Sequence, residues 1–213
     1  MNNIERIYKK KLTNCYISPC SFTDYEEVDR HEVSERRGLD FVMLSRLDSK
    51  KGFDLIINAL LIHESSFSEK VIDLYFYGKG PLYDEIVKRT KSLTKSNVTI
   101  RYAKSPISVF KNSKVFLSLQ KYENYPSQSL LEAISSGCFI IATDVGDTRS
   151  LLNESNSLLI KDENELLDAI YKIQSDFEYY EKKAKLSSHS IRKTHSIERF
   201  SSYFKSFLWS RND

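Results

Sequence analysis

Arg46 and Lys51 stand together in S-R-L-D-S-K-K-G-F-D (45–54), between an apolar run and a helical pattern. Two cations beside a helix N-terminus suit a diphosphate, because the helix dipole and unpaired amides add to their field. Two solvated loop charges would have the same appearance on this segment alone. The second chemically suggestive segment is K-Y-E-N-Y-P-S-Q-S-L-L-E-A-I (121–134). Ser127 suits a helix N-cap, and Leu130, Leu131 and Ile134 supply an inward apolar face. Glu132 then falls near the start of a helix, where a carboxylate can accept paired hydrogen bonds from vicinal hydroxyls. The amides of Ser127, Gln128 and Ser129 face whatever lies above that helix, which favours phosphate. A glutamate there would equally complement the helix dipole.

A third junction, Gly78-Lys79-Gly80-Pro81, has the look of part of a dinucleotide fingerprint but lacks its third glycine, and a plain turn fits it as well. Cys15, Cys20 and Cys138 have no metal-type spacing, and His31, His63, His189 and His195 form no cluster with them. Three reduced structural thiols are expected, in a reducing compartment. No Asp-x-Asp pair occurs to hold a metal, so no metal site is expected.

The elements that must position these residues follow from the hydrophobic pattern. Short apolar runs at 41–45, 72–77, 98–102, 115–119, 139–143 and 157–160 read as strands. Helical patterns at 53–64, 81–93, 107–112, 127–136 and, briefly, 148–153 separate them. Near-continuous apolar strands alternating with helices indicate a parallel sheet covered on both faces. The expected fold is α/β, a doubly wound, Rossmann-like sheet of about six strands with helices on both faces. Carboxy-terminal helices are expected at 164–175 and 197–207. Gly80-Pro81 should start a helix with proline at its first position, and Gly137 should end one. In such sheets ligands bind beyond the carboxyl ends of the strands, where all three segments fall.

Residues 1–38 fit this domain poorly. They comprise a basic helical pattern (4–12), a strand-like N-C-Y-I-S-P (14–19) and a polar, acidic linker, so the domain proper is expected over 39–213. Lys+Arg number 32 against 29 Asp+Glu, leaving a net charge of +3 that argues against nucleic acid as a partner. No apolar stretch approaches the roughly 18 residues needed to cross a bilayer. The amino terminus shows no secretory leader, which makes the expected location cytoplasmic. The basic clusters 9–11 and 182–185 suggest peripheral contact with an anionic membrane face, against the plainer reading of solvated helix faces.

Taken in order, S-R-L-x-x-x-K-G-F-D-x-L-I, Y-G-K-G-P, E-N-Y-P-S-Q-S-L-L-E-A-x-x-x-G and I-I-A-T-D-V-G resemble the donor-binding lobe of a retaining glycosyltransferase. The similar family is the group 1 family, glycosyltransferase family 4, of GT-B fold, over about residues 14–207. The resemblance implies that Arg46 and Lys51 bind the donor diphosphate and stabilise it as it departs. It implies that Glu132 binds the nucleotide ribose and that Glu123 lies near the donor sugar. The loop of Tyr125, Pro126, Ser127, Gln128 and Ser129 would meet sugar and phosphate, while Gly78, Gly80 and Arg101 border the base. This sequence departs from the family pattern by one extra residue between Glu123 and Glu132. Either the loop bulges to deliver Glu123, or Asn124 takes its place at the sugar.

The implied activity is metal-independent, retaining transfer of a hexose or N-acetylhexosamine from a nucleotide-sugar, expected to be a UDP-sugar. No cofactor is implied, and the acceptor would be a saccharide or a lipid-linked sugar, in bacterial surface polysaccharide (O-antigen or capsule) synthesis. The family has a second, amino-terminal acceptor lobe as partner of this one; residues 1–38 resemble its tail and the interdomain linker. Other readings are a non-catalytic nucleotide-sugar-binding module, a GT-B sugar-nucleotide epimerase and a flavodoxin-like interaction domain.

Overall fold

The computed structural model describes residue 9 and residues 23–33, 38–123 and 127–209. The helical pattern at 4–12 apart from Lys9, the strand-like stretch 14–19, Cys15, Cys20 and the residues Asn124, Tyr125 and Pro126 lie outside them. Among the described residues six strands form one sheet: β1 (Phe41–Leu44), β2 (Ile72–Tyr77), β3 (Ser96–Arg101), β4 (Val115–Ser118), β5 (Phe139–Thr143) and β6 (Ser157–Ile160). Their order is β3-β2-β1-β4-β5-β6, and every pairing is parallel. This is the doubly wound order, with the reversal between β1 and β4.

The helices are α1 (Tyr25–Arg30), α2 (Phe53–Ser65), α3 (Tyr83–Thr90), α4 (Pro106–Lys111), α5 (Gln128–Ser135), α6 (Glu163–Ser175), α7 (Phe177–Thr194) and α8 (Ile197–Trp209). Alternate strand residues face two cores, as a pleat of period two requires. Phe41, Met43, Leu74, Phe76, Leu117 and Ile141 pack with Phe53, Ile56 and Leu60 of α2 and with Ile170 of α6. Val42, Phe116 and Ile140 pack on the other face with Phe110 of α4 and Leu130, Leu131 and Ile134 of α5. Every residue of β5 is buried, which is why F-I-I-A-T carries no polar alternation.

Several boundaries differ from the sequence expectation. Pro81 lies in a turn before α3, whose N-cap is Leu82, because the Leu82 amide donates to the Leu47 carbonyl (3.1 Å) and delays the helix. The acidic linker contains α1, docked by the buried Val28 and by the Tyr25 hydroxyl, which donates to the carbonyls of Ile191 (3.2 Å) and His195 (3.0 Å). Asp29 forms a bidentate pair with Arg192 of α7 (2.7 and 2.8 Å). The long helix α7 was not marked by apolar periodicity, since it buries Ala184, Ser187 and Ile191 among many charged residues.

Glu181 fixes α7 to the start of β4, accepting from Lys114 (2.9 Å) and Lys185 (3.1 Å). These cations lower its pKa from 4.5 to about 2. A carboxylate with a depressed folded pKa stabilises above its unfolded value and loses that contribution as pH falls through the folded one. Urea unfolding should therefore show wild type losing stability between pH 4.5 and about 2 more steeply than Glu181→Gln. Gly52, at φ +66°, joins a 3₁₀ turn (Ser49–Lys51) to α2, and a Cβ there would sit 2.1 Å from the Leu119 carbonyl oxygen. Left-handed strain costs about 1–2 kcal/mol before the overlap is counted. Gly52→Ala should lower unfolding free energy by about 2 kcal/mol or more, read by urea titration.

Candidate functional site

The chain leaving β1 is sewn to the chain leaving β2. Ser45 N–H donates to the Tyr77 carbonyl and Leu47 N–H to the Lys79 carbonyl, both at 3.0 Å. The side chain of Leu47 is fully buried and anchors the loop from below. Gly78 and Gly80 lie under this crossing, where a Cβ would come within 1.9 Å of the Ser45 carbonyl and 2.3 Å of the Leu47 carbonyl. Their role in this structure is close backbone approach.

On that loop Arg46 and Lys51 behave differently. The Arg46 side chain is 73% exposed, with Nε 4.0 Å from Asp48. Asp48 is occupied as the cap of the 3₁₀ turn, accepting from Lys50 N–H (2.9 Å). Lys51 folds inward, its Nζ donating to Gln120 Oε1 at 3.0 Å just beyond β4. The backbones also meet, Lys121 N–H donating to the Lys50 carbonyl (3.0 Å). Thr143, the last residue of β5, donates its hydroxyl to the Gln120 carbonyl (2.6 Å).

The structure places Glu123 against the loop after β5: a Cβ added to Gly146 would lie 2.5 Å from Glu123 Cγ. Ser127 occupies the N-cap position of α5 but makes no capping bond, and its hydroxyl pairs instead with that of Ser129 (3.0 Å). Its oxygen therefore does not take the first-turn amides, to which Gln128 and Ser129 belong. Glu132 is half-buried on α5, with the neutral Gln128 amide donating to it at 3.1 Å. Burial pushes its carboxyl pKa up, the Gln128 hydrogen bond opposes this, and the charge of Glu27 on α1 adds to it. A desolvated carboxylate held by a neutral donor is suited to accept hydroxyl hydrogen bonds.

Beyond β2 and β3, Gly78 N–H donates to the Arg101 carbonyl (2.9 Å), and the exposed Arg101 guanidinium lies 5.7 Å from the Tyr75 ring. Lys79 Nζ sits 4.3 Å over the ring of the exposed Tyr102. A hollow of about 490 Å³ opens beside the Gln120 loop, lined by Gly52, Asp54, Tyr122, Thr143 and Lys161 among others. A larger one of about 620 Å³, walled by Tyr171, Tyr179 and Tyr180 of α6 and α7, belongs to the outer helices.

Gln120 and Tyr102 escaped the sequence analysis. Their positions at the end of one expected strand (98–102) and one residue past another (115–119) were the available signal, but nothing in the sequence pairs them with Lys51 and Lys79. Cys138 is buried with its thiol directed at the Phe110 carbonyl (3.2 Å), and burial pushes its pKa up, as befits a structural thiol.

An all-parallel 3-2-1-4-5-6 sheet, with two cations after β1 and a carboxylate-bearing helix after β4, defines a doubly wound, Rossmann-like α/β lobe. The family model "Glycosyl transferases group 1" matches residues 38–176, and the chain belongs to that family. It is 31% identical over 158 residues to the GtfA subunit of a UDP-N-acetylglucosamine–peptide N-acetylglucosaminyltransferase from Streptococcus agalactiae, covering 71% of this chain and 30% of that protein. Among solved structures it resembles a chain of the GtfA/B complex, with TM-score 0.70 and 18% identity, covering 84% of this chain and 37% of that one. HepE of Anabaena, solved with UDP-glucose, matches with TM-score 0.69 and 16% identity over 81% of this chain and 49% of its own. The carboxy-terminal domain of the group 1 protein LpcC from Francisella tularensis matches over its whole length and 85% of this chain, with TM-score 0.63 and 16% identity. The chain thus spans less than half the length of the GtfA relative and of the GtfA/B and HepE chains. It has the architecture of one lobe of a GT-B glycosyltransferase.

Because the folded state raises the pKa of Glu132, its protonated form is the stabilising one. That contribution is complete below the unfolded value of 4.5 and is lost as pH rises through the folded value. Glu132→Gln should accordingly unfold at a higher temperature than wild type at pH 7. The gap should close below pH 4.5 in a calorimetric pH series.

Proposed function

We propose that this chain is the donor-binding lobe of a glycosyltransferase and that its ligand is a UDP-sugar. The observation that carries this reading is the meeting of the Arg46–Lys51 loop with the segment after β4 at the strand-order reversal, closed by the Lys51–Gln120 hydrogen bond. Arg46, Lys51 and the first-turn amides of α5 would hold the diphosphate. Glu132 would take the ribose hydroxyls, and Gly78, Gly80 and Arg101 would border the base. Glu123 or Asn124, with Tyr125 and Pro126, would face the sugar. The names of the GtfA relative and of the HepE complex, which carry UDP-N-acetylglucosamine and UDP-glucose, support the choice of UDP and of a hexose or N-acetylhexosamine.

In the proposed reaction the bond between the anomeric carbon and the diphosphate oxygen breaks, the acceptor oxygen forms the new bond to that carbon with retained configuration, and the acceptor hydroxyl proton passes to the departing diphosphate. Negative charge grows on the departing UDP, and fixed cations and amides stabilise it without a metal or other cofactor. Removing one such donor costs about 2.7–4 kcal/mol in comparable sites. The acceptor, a saccharide or lipid-linked sugar of bacterial surface polysaccharide (O-antigen or capsule), would be held by a second lobe. The reaction belongs at the cytoplasmic side. No helix among the described residues is long and apolar enough to cross a membrane. Peripheral attachment would not draw on Lys182 and Lys185 at full charge, since these pair with Glu178 (2.8 Å) and Glu181 (3.1 Å).

Calorimetry should show weak UDP binding to the chain, abolished by Arg46→Ala and by Glu132→Ala. Unchanged affinity in both variants would remove the site assignment.

A further inference from the structure

We propose that Gln120 is a positioning residue: it aims the Lys51 ammonium into the crevice between β1 and β4 while leaving that ammonium its full charge. The inference rests on the donor-site reading above and adds a residue that neither the family pattern nor the sequence analysis assigns.

Lys51 Nζ and Gln120 Oε1 are 3.0 Å apart and partly buried, and the contact joins residues from opposite sides of the strand-order reversal. Both ends of the contact are held. Lys50 is tied through its carbonyl to Lys121 N–H, and the Gln120 carbonyl accepts the Thr143 hydroxyl. Gly52 lets the lysine turn press against the Leu119 carbonyl, where a Cβ would sit at 2.1 Å. Two backbones fixed in this way limit the directions the Lys51 side chain can take. A long lysine otherwise samples many rotamers, and ordering it before the ligand arrives removes that cost from binding.

The chemical type of the partner matters as much as its position. Nearby, Lys121 is neutralised by Asp54 at 2.6 Å, and Arg46 lies 4.0 Å from Asp48. Lys51 is held by a neutral amide, whose oxygen accepts one hydrogen bond from the ammonium and contributes no opposing charge. A carboxylate at position 120 would fix the lysine equally well and would also repel an incoming diphosphate. The Lys51–Gln120 pair therefore joins orientation to an undiminished field, which is the arrangement that electrostatic stabilisation of an anion requires.

The test is a double-mutant cycle on the full chain, with UDP titrated and followed by protein-observed NMR, which reads millimolar dissociation constants. Gln120→Met removes the acceptor at similar length and Lys51→Met removes the donor. Gln120→Met should weaken UDP binding about fivefold, the loss typical of one hydrogen bond. It should have no effect in the Lys51→Met background and should leave uridine binding unchanged. Equal losses in both backgrounds, or a parallel loss for uridine, would overturn the positioning role, because a direct contact with UDP or a general structural defect acts without Lys51. Gln120→Met binding UDP like wild type, while Lys51→Met is impaired, would also overturn it and leave the donor-site reading standing. Failure of the wild-type chain to bind UDP would remove that reading and the inference with it.

Discussion

The parallel pairing of β1 with β4 is the constraint from which the rest follows. β1 pairs with β2 over four positions, but with β4 over two, Phe41 with Val115 and Val42 with Phe116. Past these pairs the two chains leave in opposite senses, one to α2 and the other to α5, whose apolar residues lie in different cores. Neither crossover covers the gap between them. A crevice at that point is the direct result of winding a parallel sheet in two directions, and it exposes backbone amides where a ligand can use them.

Several contacts tie the two sides of the crevice together. Gly52 lies against Leu119, Lys50 accepts from Lys121, and Gln120 accepts from Thr143. On the other side the loop after β1 rests on Gly78 and Gly80, with Leu47 buried beneath. The charged side chains thus ride on a frame whose geometry is set by main-chain contacts. Arg46 remains largely exposed on this frame, with a 4.0 Å contact to Asp48 of the same loop.

The electrostatics of the same region carry a cost to stability. Glu132 is half-buried and hydrogen-bonded to a neutral amide, with the carboxylate of Glu27 adding to the strain of its charge. An arrangement selected for folding alone would expose this group or give it a cation, as Glu181 is given Lys114 and Lys185. The contrast between these two glutamates separates a group that holds the fold together from one whose charge the fold leaves uncompensated, the one that the proposed donor site assigns to a ligand.

The sequence by itself determined the sheet. Runs such as Val115–Ser118 and Phe139–Thr143 can be satisfied only between two covered faces, so strand number, parallel sense and helix alternation were legible in composition and period. It also singled out Arg46, Lys51 and Glu132 as candidates by type and place after strands, while their roles at a donor site came from the family resemblance. The boundaries of α3, the docking of α1 and the existence of α7 were decided by tertiary contacts: a carbonyl of Leu47, a pocket for Val28, and an ion-paired face with few apolar residues. The partners of the site residues belong to the same class. Lys51 meets Gln120 and Glu123 meets Gly146 because strands distant in sequence lie side by side, and a linear pattern has no term for which chain ends the fold brings together.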